Sequence, residues 1–126
     1  MLLDTHILIW TASGSERLSS EARRLLNERD NEVFFSPISF WEIAIKRGLG
    51  RPDFMFDGHL LRDSLVETGF QEIMLTTDLA LGVASLPLLH KDPFDRLLIA
   101  QAIIEGVTLL TSDALVAQYP GSVRRV

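Results

Sequence analysis

Short apolar runs, each too brief to be a helix, alternate along this chain with longer segments that carry helical spacing or helix caps. The runs at residues 1–3 ("MLL"), 33–35 ("VFF"), 72–75 ("EIML") and 107–110 ("VTLL") read as strands, with an edge strand at 122–125. Between them, residues 7–10 begin a helix. Residues 18–27 place Leu18, Ala22, Leu25 and Leu26 at helical spacing behind a Ser19 or Ser20 cap. Ser36-Pro37 opens a helix that reaches about residue 47, before Gly48 and Gly50, because a serine cap followed by proline is the favoured helix start. Further helices are expected at 56–68, at 79–85 behind Thr76-Thr77-Asp78, at 93–104 closed by Gly106, and at 113–118. Strands separated by helices cannot pair as hairpins, so the pattern predicts an α/β sandwich with a mainly parallel sheet.

Nothing divides the chain. Its 126 residues hold no repeat, linker or low-complexity tract, which predicts one domain over 1–126. Cysteine is absent, so disulfides, thiolate zinc sites and cysteine nucleophiles are excluded, and any metal must be held by oxygen or imidazole. Residues 79–90, the longest charge-free run near the middle, contain Pro87 and are too short to span a bilayer. Asp4 breaks the only apolar run at the start, against a signal peptide, so a cytoplasmic location is expected. The net charge of −5 argues against a broad basic surface for nucleic acid. It leaves two readings open: carboxylates gathered around a cation, or an acidic solvated surface.

Ligands of a parallel sheet bind beyond the carboxyl ends of its strands. Asp4 ends the first strand and Asp113 follows "VTLL" after Thr111 and Ser112, so both acids belong to that edge. Either one serves equally as a helix cap. Asp95 is less easily explained by the fold. Its helical neighbours Leu98, Ile99 and Ala102 put it on an apolar face, where a carboxylate loses hydration and needs a compensating partner. Asp92, before Pro93, suits the N-cap, with Arg96 at i+4. Glu42 has Lys46 at i+4, the spacing of a surface ion pair worth about 0.2–0.5 kcal/mol, although its helix also starts from the end of a strand. Four acids at one edge repel unless protonated or joined by a cation, and hard carboxylate oxygens suit Mg²⁺ or Mn²⁺.

Weaker candidates surround these acids. Thr5, Ser39, Thr111 and Ser112 could orient water or phosphate, or act as caps. Arg96 or Lys46 could attract phosphate. His6, His59 and His90 lack metal-ligand spacing, and no nucleophile-elbow pattern supports a Ser-His-Asp triad. Trp10, Trp41, Phe40 and Phe94 are expected in the core, and Gly48 with Gly50 makes no phosphate loop.

The segments "LLDTHILIW", "ISFWEIAIKRGLG", "LPLLHKDPFDRLLIAQA" and "GVTLLTSD", in this order over nearly the whole chain, resemble the PIN-domain ribonucleases of the VapC toxin type. The resemblance implies a PIN-like three-layer α/β/α sandwich, a Mg²⁺- or Mn²⁺-dependent endoribonuclease, RNA as substrate, a cognate antitoxin and a homodimer. It assigns the site to Asp4, Glu42, Asp95 and Asp113, with Thr111 and Ser112 matching a small hydroxyl near the last acid and Asp92 in second place. Two other readings remain at this point. One is a nuclease of the same fold that works in nucleic-acid processing without an antitoxin, and the other is a non-catalytic module whose acidic cleft takes a basic segment.

Overall fold

The computed structural model describes residues 1–89 and 92–126. Five very short strands, β1 (Leu2–Leu3), β2 (Phe34–Phe35), β3 (Gln71–Glu72), β4 (Leu109–Thr111) and β5 (Val123–Arg125), form one sheet in the order β3-β2-β1-β4-β5. Every pairing in it is parallel, with Leu2 opposite both Phe34 and Leu109. Among the described residues six α-helices cover it: α1 (Thr5–Ser13), α2 (Ser20–Asn27), α3 (Pro37–Gly48), α4 (Gly58–Glu67), α5 (Thr77–Gly82) and α6 (Pro93–Glu105).

The period of two along each strand sorts its side chains into two cores. Leu3, Phe35 and Leu110 enter a core with Ile7, Leu8, Leu25, Ile43, Leu61 and Leu65, drawn from α1 to α4. Their sequence neighbours Leu2 and Leu109 enter the other core with Leu79, Leu98, Ile99 and Ala102 of α5 and α6. Helices therefore lie on both faces, giving the three-layer α/β/α sandwich. Because Ile43 enters the first core and Ile38 the second, α3 spans the boundary between them and brings its middle turns to the sheet edge.

The caps fall where the sequence places them. Ser19 accepts from the Ala22 N–H, Ser36 from Ile38, Thr76 from Leu79 and Asp92 from Phe94 and Asp95. Gly106, at φ 67°, ends α6 in the left-handed region that glycine enters without cost.

Three expectations need correction. The helix at 113–118 is a turn followed by one 3-10 turn, Val116–Gln118, since Asp113 caps Leu115 locally and Pro120-Gly121 leave no length for more. The strand at 72–75 is Gln71–Glu72, shifted because Gln71 and Ile73 donate to Val33 and Phe35 across the ladder. Trp41 is not a core residue. It is 54% exposed and packs edge-on against Phe94, with ring centroids 5.1 Å apart. Among the described residues no helix is long and apolar enough to cross a membrane.

Candidate active site

From β1 the chain runs outward to β2 and β3, then returns past β1 to form β4 on its other side. Such a reversal opens a crevice at the carboxyl ends of the two strands where the direction switches. Asp4 directly follows β1, and β4 ends in Thr111, with Ser112 and Asp113 next. The fold thus brings the first and last of the expected acids to one place.

Asp4 combines the two roles that its position allowed. It caps α1, Oδ1 accepting the Ile7 N–H at 2.9 Å, and it lies buried in the crevice. Burial pushes its carboxyl up to about 6, against hydrogen bonds from Thr111 and Ile7 that favour the charged form. Thr111 is itself fully buried, and its hydroxyl also accepts the Asp113 N–H at 3.0 Å. Asp113 is held further by the Leu115 N–H, 2.8 Å from Oδ1. Beneath Asp4, the buried Thr5 hydroxyl donates to Ser39 Oγ at 3.1 Å and fastens α1 to α3. Thr5 is therefore a structural bridge, whereas Thr111 touches the acids on both sides.

Glu42 is not half of a surface pair. It is 2% exposed, and Lys46 Nζ reaches Oε2 at 2.5 Å from a side chain that is itself only 15% exposed. The surface-pair energy does not apply to partners so far out of water, where breaking a pair strands a buried charge. The second oxygen, Oε1, is buried with no hydrogen-bond partner among the described residues. Burial of a carboxylate oxygen without a donor is expensive and marks a place where a ligand would be stabilising. Lys46 also contacts Asp92 Oδ2 at 3.1 Å, a link between α3 and α6 over 46 positions that no local spacing reveals.

Asp92 is the N-cap of α6, as its place before Pro93 indicates, and Lys46 holds its carboxyl below the usual range. Arg96, expected opposite it, donates to the carbonyls of Val83 and Leu86. Asp95, one residue beyond Phe94, has the contrary fate. Burial, followed by the charges of Asp92, Glu42, Asp4 and Asp113, pushes it up to about 8. Acids from α1, α3, the start of α6 and the loop after β4 thus act on one carboxyl group. Among the described residues no three carboxylate or imidazole side chains are yet drawn together as a ready metal-ligand set. The donor chemistry nonetheless fits a hard divalent cation: all-oxygen ligands, one orphaned oxygen, and two carboxyls that burial keeps from ionising at their usual pH.

The sequence profile of the PIN domain family matches residues 1–121. A curated relative, Ribonuclease VapC22 of Mycobacterium tuberculosis, is 30% identical over 114 residues, 90% of this chain and 86% of its own. The chain belongs to the PIN-domain family, in its VapC-type branch. Solved structures share the fold. The VapBC2 complex of Rickettsia felis, bound to a DNA fragment from their promoter, has a TM-score of 0.72 at 15% identity, covering 99% of this chain and 97% of the matched one. A toxin–antitoxin complex from Klebsiella pneumoniae has a TM-score of 0.64 at 23% identity, covering 99% and 98%.

The remaining candidates of this PIN domain flank the acids or serve the scaffold. His6 meets Asp53 at 3.2 Å and packs on Trp10 and Phe54, while His59 opens α4 and donates its N–H to Asp57. His90 lies outside the described residues. Ser112, half-buried, stands between Thr111 and Asp113. The sequence reading missed the part played by Lys46: it was weighed as a phosphate-attracting cation, yet its ammonium turns inward to two carboxylates. The i+4 spacing found the first partner, and only the packing of α3 on α6 supplies the second.

Proposed function

We propose that this chain is a divalent-metal-dependent endoribonuclease, the toxin of a toxin–antitoxin pair, that hydrolyses RNA phosphodiester bonds. The observation that carries the proposal is the convergence of acids at one sheet edge: Asp4 and Glu42 are buried there, Glu42 Oε1 has no hydrogen-bond partner among the described residues, and Asp4, Glu42, Asp92 and Asp113 all act on the half-buried carboxyl of Asp95. The similarity to a protein named Ribonuclease VapC22 supports RNA as the substrate class. The two similar complexes support an antitoxin partner.

Asp4, Glu42 through Oε1, Asp95 and Asp113 would hold Mg²⁺ or Mn²⁺. A bound divalent cation supplies the charge that lowers the pKa of a water nucleophile and offsets charge building on the phosphate. The chain's own groups do the positioning. The Ile7 N–H and the Thr111 hydroxyl fix the plane of Asp4, and the Leu115 N–H fixes Asp113. Lys46 holds Glu42 by one oxygen, and the other has no hydrogen-bond partner among the described residues. Ser112, half-buried, offers a hydroxyl beside the last acid, where a phosphate oxygen or a water can be oriented.

In this reading the acidic crevice suits the cationic segment of an antitoxin when RNA is absent, because a guanidinium can pair with the same carboxylates. Self-association into a dimer and a cytoplasmic location accompany the proposal. The decisive assay measures cleavage of total RNA with Mg²⁺ or with EDTA for the wild type, Asp4→Asn and Asp95→Asn. Cleavage by the wild type that EDTA abolishes and both substitutions cripple is the expected result; full activity in both variants would sink the proposal.

A further inference from the structure

We propose that Arg125, at the end of the edge strand β5, is a substrate-binding residue that pairs with a backbone phosphate of the RNA beside the carboxylate site. The inference rests on the reading that these acids cleave RNA, and it adds the cation that holds the polymer next to them.

The sheet register places the residue. Arg125 stands opposite Thr111 in the parallel ladder, and the Val126 N–H donates to the Thr111 carbonyl at 2.8 Å. Neighbouring strands lie about 4.8 Å apart. Asp4 after β1, Thr111 at the end of β4 and Arg125 at the end of β5 therefore follow one another along the carboxyl edge of the sheet. Alternation along β5 settles the face. Val123, opposite Leu109, packs into the second core, whereas Arg124 reaches Glu21 of α2 at 2.6 Å and Val126 packs on the first core. Arg125 thus shares a face with Thr111, whose hydroxyl hydrogen-bonds Asp4.

Its charge is available where other cations are committed. Lys46 turns inward to Glu42 and Asp92, Arg96 donates to the carbonyls of Val83 and Leu86, and Arg124 is paired with Glu21. Arg125 is exposed, and its guanidinium makes no hydrogen bond or ion pair among the described residues. RNA brings a negative charge on each nucleotide to a chain of net charge −5. Phosphates beyond a metal's reach are repelled by the crowded acids unless a cation faces them. A guanidinium fork matches two phosphate oxygens, so at the margin of the crevice it takes the phosphate of a nucleotide flanking the cleaved bond.

The test measures initial rates of Mn²⁺-dependent cleavage of total RNA by the full chain at several salt concentrations, for the wild type, Arg125→Ala, Arg125→Lys and Arg124→Ala. Arg124→Ala removes the same charge one position away on the opposite face, along with an exposed ion pair that adds little to stability. Arg125→Ala is expected to raise KM about tenfold, on the scale of one charge-assisted hydrogen bond, with kcat and melting temperature unchanged. It should also flatten the slope of log KM against log salt by about 0.7, the share of one phosphate on a single strand. Arg125→Lys, which keeps the charge, should recover most of KM and the full slope, and Arg124→Ala should match the wild type. A wild-type KM and slope in Arg125→Ala overturn the proposal. So does an equal change in Arg124→Ala, which makes the effect one of net charge alone, and so does a fall in kcat with KM unchanged. Each of these leaves the ribonuclease reading standing. No cleavage by the wild type overturns that reading and the proposal together.

Discussion

The hydroxyl of Thr111 joins Asp4 to the loop that carries Asp113: it hydrogen-bonds the Asp4 carboxylate and accepts the Asp113 N–H at 3.0 Å. One buried oxygen therefore sets the relation between the acid after β1 and the acid after β4. It also lowers the pKa of Asp4, opposing the burial that raises it. A side chain whose only polar atom is committed on both sides is a hinge of site geometry rather than a spare hydroxyl.

Thr111→Val keeps the shape and removes both bonds. The Asp113 N–H loses its partner, at a cost of about 1–3 kcal/mol for an unsatisfied buried group. Asp4, without its donor, titrates higher still. The expected result is a lower urea midpoint, RNA cleavage reduced about tenfold on the scale of one lost positioning contact, and an acid limb of the pH–rate profile moved to higher pH. Thr111→Ser, which restores the hydroxyl, should return the limb to its place.

The metal-free protein should lose stability as pH rises through the neutral range. Asp95 titrates near 8 and Asp4 near 6 in the folded state, against an ordinary carboxylate range near 4 when unfolded. Between pH 4 and 8 the folded chain therefore binds more protons than the unfolded one. Stability from these groups is whole below pH 4, falls as pH rises, and is gone above 8. Thermal melts in EDTA should decline over that window. In Asp95→Asn the decline should be confined to the part below about pH 6, where Asp4 alone titrates. A flat profile for the wild type would count against the burial of both groups.

The two aspartates of "DPFD" should separate by assay. Asp95→Asn removes a charge that the fold resists, so its metal-free melting temperature at pH 8 is expected to equal or exceed that of the wild type, while RNA cleavage falls on the order of a hundredfold or more, as for loss of a charge-stabilising group. Asp92→Ala removes the α6 cap, worth about 0.5–2 kcal/mol, and one partner of the Lys46 ammonium, so its main effect is on stability. Denaturant unfolding and cleavage rates on the same preparations check both. Equal loss of cleavage with unchanged stability in Asp92→Ala would reverse the assignment.

Much of this fold was legible because its signals are local. Ser36-Pro37, Asp92-Pro93 and Gly106 mark helix ends by caps and fixed φ, and the runs around Leu2, Phe35 and Leu109 mark strands by unbroken apolarity. Asp4 and Asp113 were legible as acids of one sheet edge because parallel topology places strand ends together. What stayed hidden depends on contacts between distant segments. Glu42 and Lys46 look like a solvated helix pair until α3 is packed against α6 and both are buried. Trp41 looks like core until its helix face proves to be the one turned outward. The stretch at 113–118 has helical composition, but a side-chain cap and a Pro-Gly stop within seven residues leave room for one tight turn.

Divalent metal should stabilise this chain most where its carboxylates are most crowded with charge. A ligand that binds only the folded state raises stability in proportion to its affinity and concentration. That affinity depends on Asp95 and Asp4 being free of protons, so metal and proton compete for the same oxygens. With Asp95 near 8 and Asp4 near 6, saturating Mg²⁺ or Mn²⁺ should raise the melting temperature clearly at pH 8 and hardly at all at pH 5. EDTA should reverse the gain and stop RNA cleavage together, and Ca²⁺, larger and less demanding in geometry, should restore the melt more readily than the activity. Melts at both pH values with each ion, in wild type and Asp95→Asn, measure this directly. A rise that is equal at pH 5 and pH 8, or one that survives Asp95→Asn unchanged, would place the ion away from these acids.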